Sequence, residues 1–265
     1  MKCNYHTHTT RCHHAMGTDE AFVQAAVDAG YDVLGFADHA PWPYAHGFVS
    51  NMRMTMEELP DYVNSIKALQ NKYAGQIQLH IGLESEYFPR YSDHPRRLLD
   101  SGTIEYLILG PHFTDSDECT PYVPPLCRED DGVKRYAEHC VIAMETGLFR
   151  YIAHPDLYLR YRGPEQFTPV CQDAARDIAV CARAQGMALE YNLLGLLNQM
   201  RGMGCGYPSE CFWRAVKPYA GDVILGVDAH EPEHLLNAST WERGTAFLTE
   251  LGYTPIDHLT LKGGL

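Results

Sequence analysis

His6 and His8 close a short apolar-leaning run, residues 1–5, that reads as a strand. In a strand, residues i and i+2 share a face, so both imidazoles aim at one point where the strand leaves its sheet. The chain then repeats the arrangement. His14 follows on the loop 9–17; His39 ends the run 35–39; Glu84 ends 77–84. His112 lies just past 104–109, His154 just past 151–153, and Asp228 and His230 form a second same-face pair after 223–227. Nine candidate ligands thus stand at or just beyond the ends of six strand-like runs.

One ion does not need nine ligands. A zinc site takes three or four protein ligands and keeps a position open when it is catalytic. Two or three ions fit the set better, with a carboxylate bridging. Glu84 suits that role, because an unpaired carboxylate after an apolar strand would be costly to bury. Imidazole and carboxylate without a required thiolate favour zinc, manganese or iron. Such a cluster lowers the pKa of a bridging water. It can also hold the attacking and leaving oxygens of an in-line displacement at phosphorus.

These residues need elements that bring them to one place. Thr18 caps a helix with the apolar stripe Phe22, Val23, Ala26 and Val27, ended by Gly30. Thr55 is read as the cap of another, with Leu59, Tyr62, Val63, Ile66 and Leu69 on one face. Further helices are expected around 133–146, 174–185, 209–219 and 241–251, and strands at 33–37, 77–83, 104–109, 151–153, 187–191 and 223–227. Residues 41–55 read as a loop over the site, 113–129 and 157–169 as long loops, and 193–208 as a Gly-rich loop. About seven strand–helix units, with no compositional break, point to a parallel sheet in one domain spanning 1–265. The candidate ligands follow the strands, and in a parallel barrel every strand's carboxyl end faces one mouth. A closed α/β barrel with its metal site at those ends is therefore expected.

Length and composition agree. The chain has 265 residues, 45% hydrophobic, enough for a large core. A formal net charge of −13 argues against non-specific nucleic-acid binding, and bound metal ions could still reverse the sign locally for an anionic substrate. Nine cysteines without a CxxC pair read as reduced, largely buried thiols, with Cys12 between His8 and His14 the one within reach of a metal. Residues 1–15 are polar and His-rich, unlike a signal peptide, and no run is long and apolar enough to span a membrane. A cytoplasmic location is expected.

The motifs resemble those of the PHP (polymerase and histidinol phosphatase) family, in particular its histidinol-phosphate phosphatases. The resemblance rests on His6-x-His8, Cys12-x-His14-Ala15-x-Gly17, Gly35-Phe36-Ala37-Asp38-His39-Ala40-Pro41, Gly82-Leu83-Glu84, Gly110-Pro111-His112-Phe113, Ala153-His154-Pro155-Asp156, Glu190-Tyr191-Asn192 and Gly226-Val227-Asp228-Ala229-His230. It implies a distorted (β/α)7 barrel and a trinuclear centre of divalent transition-metal ions. His6, His8, Glu84 and Asp228 would hold one ion; His112 and His154 would hold a second, bridged by Glu84; His14, His39 and His230 would hold a third. Glu84, Asp228 and His230 would be catalytic, and a metal-bridging hydroxide the nucleophile. The implied reaction is hydrolysis of a small phosphomonoester, L-histidinol phosphate first, or else a nucleotide or sugar phosphate; a non-catalytic metal-binding domain is the remaining alternative.

The substrate side departs from the resemblance. Where Glu-x-Asn-Thr-Ser-Gly-Leu-Arg is usual, this chain reads Glu190-Tyr191-Asn192-Leu193-Leu194-Gly195-Leu196-Leu197, losing a hydroxyl pair and an arginine. The segment around His112 also lacks the usual Gly-Ser-x-His spacing. Arg160, Arg162 and Arg201 are the cations that could take over the phosphate. His13 and His46 are loop histidines facing solvent or substrate, and Trp42, Tyr44 and Phe48 could form a lid.

Overall fold

The computed structural model describes residues 1–45 and 47–261; His46 lies outside the described residues. The sheet has seven parallel strands in sequence order: β1 (Cys3–Asn4), β2 (Val33–His39), β3 (Gln78–Ser85), β4 (Tyr106–Leu109), β5 (Tyr151–Ile152), β6 (Ala188–Asn192) and β7 (Val223–Gly226). The helices that return the chain are α1 (Asp19–Asp28), α2 (Leu59–Lys72), α3 (Asp93–Asp100), α4 (Val123–Leu126), α5 (Asp130–Glu145), α6 (Pro169–Ala184), α7 (Leu193–Met200), α8 (Glu210–Val216), α9 (Pro232–Leu236) and α10 (Ala238–Glu250).

Sequence order in an all-parallel sheet curls it into a barrel, because every crossover has the same hand. Closure between β7 and β1 is made at the mouth. Thr7 and Ala229 form a parallel bridge, with the His8 amide donating to the Ala229 carbonyl at 2.9 Å and the Ala229 amide to His6 at 3.1 Å. Asn4 seals the seam below, its side-chain oxygen accepting from the Val227 amide at 2.8 Å. The first strand is thus two residues long, shorter than the run 1–5, and ties to β7 through the residues that flank the imidazoles.

Strands buried on both faces alternate between two cores. From β4, Leu107 and Leu109 face the outer helices, while Tyr106 and Ile108 fill the barrel interior with Tyr5, Tyr151, Ala188 and Ile224. The Tyr106 hydroxyl donates to the Tyr5 and Phe36 carbonyls at 2.8 and 3.0 Å. Gly35 and Gly82 make room for it, since a Cβ at either would run into the Tyr106 ring or hydroxyl. Ile256, Leu259 and Leu261 pack under this interior core.

Further sequence expectations change, and the loop expected at 113–129 holds α4, with Pro124 in its first turn. The segment 193–208 opens with α7, because Asn192 caps it from the Gly195 amide and Leu193 and Leu197, one turn apart, are both buried. Thr55 does not cap α2; its amide and hydroxyl hold the Glu58 carboxylate, and the helix begins at Leu59.

Candidate metal centre

Seven of the nine side chains line one cleft of about 580 Å³, and His6 and His8 stand fully buried against its Glu84 and Asp228. The β2–β3 register sets His39 directly beside Glu84. Glu84, fully buried, is the hub. Its Oε2 lies 3.4 Å from Nε2 of both His6 and His8 and 3.2 Å from His39 Nδ1; its Oε1 lies 3.4 Å from His112 Nε2 and 2.8 Å from His154 Nε2. Asp228 Oδ1 completes the first group at 3.4 Å from His6 Nε2 and 3.2 Å from His8 Nε2. Gly110 permits this crowding: a Cβ there would strike the Glu84 carboxylate and the His112 ring.

Those separations suit an ion. Ligand atoms held 2.0–2.1 Å from one tetrahedral centre lie roughly 3.3–3.4 Å from each other. The imidazoles are also short of partners: His6 Nε2, His8 Nε2, His39 Nδ1 and His154 Nδ1 are buried without a hydrogen bond. Buried polar atoms are rarely left so. The donor set therefore fits transition-metal ions.

In five of the rings the far nitrogen is held as ligation requires. His6 Nδ1 lies 2.8 Å from Glu190 Oε2, His112 Nδ1 3.1 Å from Glu86 Oε1, and His8 Nδ1 3.4 Å from Asp38 Oδ1. His14 Nδ1 and His230 Nδ1 instead meet the backbone carbonyls of Cys12 and Asp228, at 2.7 and 3.0 Å. A carbonyl only accepts, so in both rings Nδ1 carries the proton and Nε2 keeps its lone pair. His14, His39 and His230 gather with ring centroids 4.8 and 5.3 Å from His14, and His8 stacks on His230 at 4.0 Å. Cys12, fully buried, places its sulfur with His14 and His230 in one ligand-sized group.

The charges are mutually dependent. Burial opposes ionisation of Glu84, but the His112, His6 and His39 imidazoles hold its carboxyl well below the usual range. Burial likewise opposes a charge on His6, and Glu190, Asp228 and Glu84 outweigh it, raising its pKa well above normal. That buried carboxylate group calls for positive charge, which a proton or a metal ion can supply. Burial keeps His39 and His230 neutral, the latter pushed down to about 3. Neutral imidazole is the form that ligates. His154 and Asp228 also sit at φ of 32° and 55°, left-handed conformations that non-glycine residues adopt at a cost of about 1–3 kcal/mol each. Both turn the chain sharply where it leaves its strand.

The arginines separate. Arg160 lines the cleft, its Nη1 3.3 Å from the Tyr122 hydroxyl and its guanidinium 5.9 Å from the Tyr207 ring. Arg162 does not reach it. That side chain is buried and its donors serve the Cys127, Gln166 and Arg128 carbonyls and Asp130, at 2.6, 2.9, 3.0 and 2.9 Å. The expectation of Arg162 as a phosphate ligand is corrected: it staples three loop carbonyls. Arg201 is exposed at the end of α7 and does not line the cleft. Leu194 lines it, whereas Leu193 and Leu197 are turned into buried positions. His13 is exposed. Trp42 is a buried anchor against Phe88, and Phe48 stays exposed beside Tyr44.

The sequence reading gives no role to the residues behind the imidazoles: Asp38 and Glu190 stand there only as motif residues, and Glu86 and Arg53 not at all. A signal existed for Glu190. It is a carboxylate between Leu189 and Tyr191 in an apolar strand, the same anomaly that drew attention to Glu84. Glu86 repeats the i, i+2 spacing after Glu84.

The PHP domain family model matches residues 4–193, and the chain belongs to that family. A protein of Deinococcus radiodurans named "Probable histidinol-phosphatase" is 31% identical over 234 residues, covering 87% of this chain and 86% of that one. A histidinol-phosphatase of Bacillus subtilis is 28% identical over 254 residues, covering 87% of this chain and 94% of its own. Among solved structures, a histidinol phosphate phosphatase from Lactococcus lactis, crystallised with zinc, L-histidinol and phosphate, shares the fold with a TM-score of 0.74. Its identity is 18%, covering 96% of this chain and 95% of that one.

Proposed function

We propose that this protein is a metal-dependent phosphomonoesterase whose first substrate to test is L-histidinol phosphate. One observation carries the reading: five imidazoles converge on Glu84 at 2.8–3.4 Å, Asp228 completes the group against His6 and His8, and several buried imidazole nitrogens are unpartnered, beside a cleft that also holds Arg160. The named activity of the Deinococcus and Bacillus relatives supports the substrate.

His6, His8, Glu84 and Asp228 would hold one ion, Glu84, His112 and His154 a second, and His14, His39 and His230 a third. Zinc, manganese or iron bound there would lower the pKa of a water for attack and neutralise charge on the phosphoryl oxygens. The chain's own residues do the rest. Arg160 offers a fork of donors to the phosphate. The rings of Tyr122 and Tyr207 beside it form an aromatic wall for the leaving group, and Asn51 and Asn198 offer amides. Glu190, Asp38 and Glu86 fix the imidazole orientations, so little reorganisation is needed when the phosphate arrives.

A different small phosphate is favoured by one feature, Leu194, which presents a methyl-rich surface to the cleft where related phosphatases carry a hydroxyl. The deciding experiment measures phosphate release from histidinol phosphate, a nucleotide and a sugar phosphate at fixed metal, with metal content assayed in parallel. Histidinol phosphate is expected to show the highest kcat/KM. Metal-loaded protein inert on every ester would overturn the enzymatic reading.

A further inference from the structure

Arg53 is fully buried and makes more polar contacts than a loop residue needs. Its Nη1 and Nη2 meet the two oxygens of Glu86 at 2.8 and 2.9 Å, as a fork against a carboxylate. Nη1 also donates to the Ala40 carbonyl at 3.2 Å, and Nε to Asp117 at 3.2 Å. Asp117 in turn accepts from the hydroxyls of Ser50, at 2.8 Å, and Tyr44. One guanidinium thus ties Ala40 to residues 44 and 50, through Asp117, within the loop between β2 and α2.

The same carboxylate reaches the candidate metal centre. Glu86 Oε1, which accepts from Arg53, lies 3.1 Å from His112 Nδ1, and the opposite nitrogen of that ring faces Glu84 Oε1 at 3.4 Å. Immediately before Arg53, Asn51 and Met52 line the cleft. A continuous chain of contacts therefore runs from the loop that touches a ligand, through Arg53 and Glu86, to an imidazole assigned to the second ion.

We infer that Arg53 is a positioning residue that couples the order of the 40–53 loop to occupancy of the His112 position through Glu86. This rests on the proposed metal role of the cluster. The ion fixes the His112 ring, the ring fixes Glu86, and Glu86 fixes the guanidinium around which the loop is folded. By linkage, the loop's closure must favour the ion as much as the ion favours closure.

The test uses the full chain and needs no substrate. Phe48, exposed in this loop, is the site at which chymotrypsin cleavage reports loss of loop order. In wild-type protein, zinc loading is expected to slow cleavage there at least about tenfold relative to chelator-stripped protein. The paired variant Arg53→Met, Glu86→Gln removes the two charges of the fork together and leaves Asp117 to the Ser50 and Tyr44 hydroxyls. It should fold, lose that zinc dependence, and bind zinc at one position about 10–100-fold more weakly. Arg53→Lys should restore part of the metal affinity but not the fork. Wild-type protein that binds zinc with a loop indifferent to it would overturn the coupling alone. Wild-type protein that binds no metal would overturn the metal reading and this inference with it. Should the paired variant fail to fold, Arg53→Lys decides: cleavage at Phe48 with the full wild-type zinc dependence, in it or in the folded pair, would overturn the role of Arg53.

Discussion

The two walls of the cleft are made by different means. On the metal side, side chains leave the ends of hydrogen-bonded strands, and buried carboxylates stand behind His6, His8 and His112. On the substrate side, Arg160, Tyr122, Asn51, Asn198 and Tyr207 come from loops and short helices, held by aromatic stacking and single hydrogen bonds. The first wall is tightly constrained, because its charges are costly to bury unless satisfied. The second buries fewer charges, so a substitution there disturbs the barrel less.

That contrast predicts a graded response to substitution. Glu84→Gln should be the most damaging change. An amide cannot bridge ions, and turnover should fall by on the order of 10²–10³-fold or more, with metal lost, as read by elemental analysis and phosphate release. Intact metal content with a few-fold change would place the hub elsewhere. Glu190→Gln touches no ion, yet it weakens the hold on His6 Nδ1. Metal affinity should fall about 10–100-fold, measured by competition with a chromogenic chelator, and unchanged affinity would mean the carboxylates behind the rings are structural only.

Across the cleft, Arg160→Ala should leave metal content alone and cut kcat/KM by roughly 10–150-fold, the loss of one or more charge-assisted contacts to phosphate worth about 1.5–3 kcal/mol. Wild-type efficiency would mean that metals and other groups hold the phosphate unaided. Its neighbour sharpens the point. Arg162→Ala should leave kcat/KM unchanged while lowering unfolding stability by about 1–3 kcal/mol, because three loop carbonyls lose their donor. A loss of activity without loss of stability would put Arg162 back at the phosphate. Smallest of all, Leu194→Ser should shift the ratio of kcat/KM between histidinol phosphate and a sugar phosphate by a few-fold, since a lone exposed hydroxyl adds a net contact of about 0.5–1.5 kcal/mol. An unmoved ratio would show that Leu194 faces solvent in the complex.

The sequence by itself determined the barrel and the mouth. Strand periodicity and parallel order follow from local residue patterns, and in a parallel barrel they force every strand-end side chain to one side, so His6, His8, His39, Glu84, His112, His154, Asp228 and His230 were found without coordinates. Tertiary structure alone decided the rest. Whether an arginine two residues from another reaches the cleft or turns inward depends on which loop carbonyls lie near, and Arg160 and Arg162 part on that ground. The pairing of Arg53 with Glu86 joins positions 33 residues apart, on a loop without periodicity and just past a strand's end. Local patterns report which face a residue presents, but not what the far side of the fold brings to meet it.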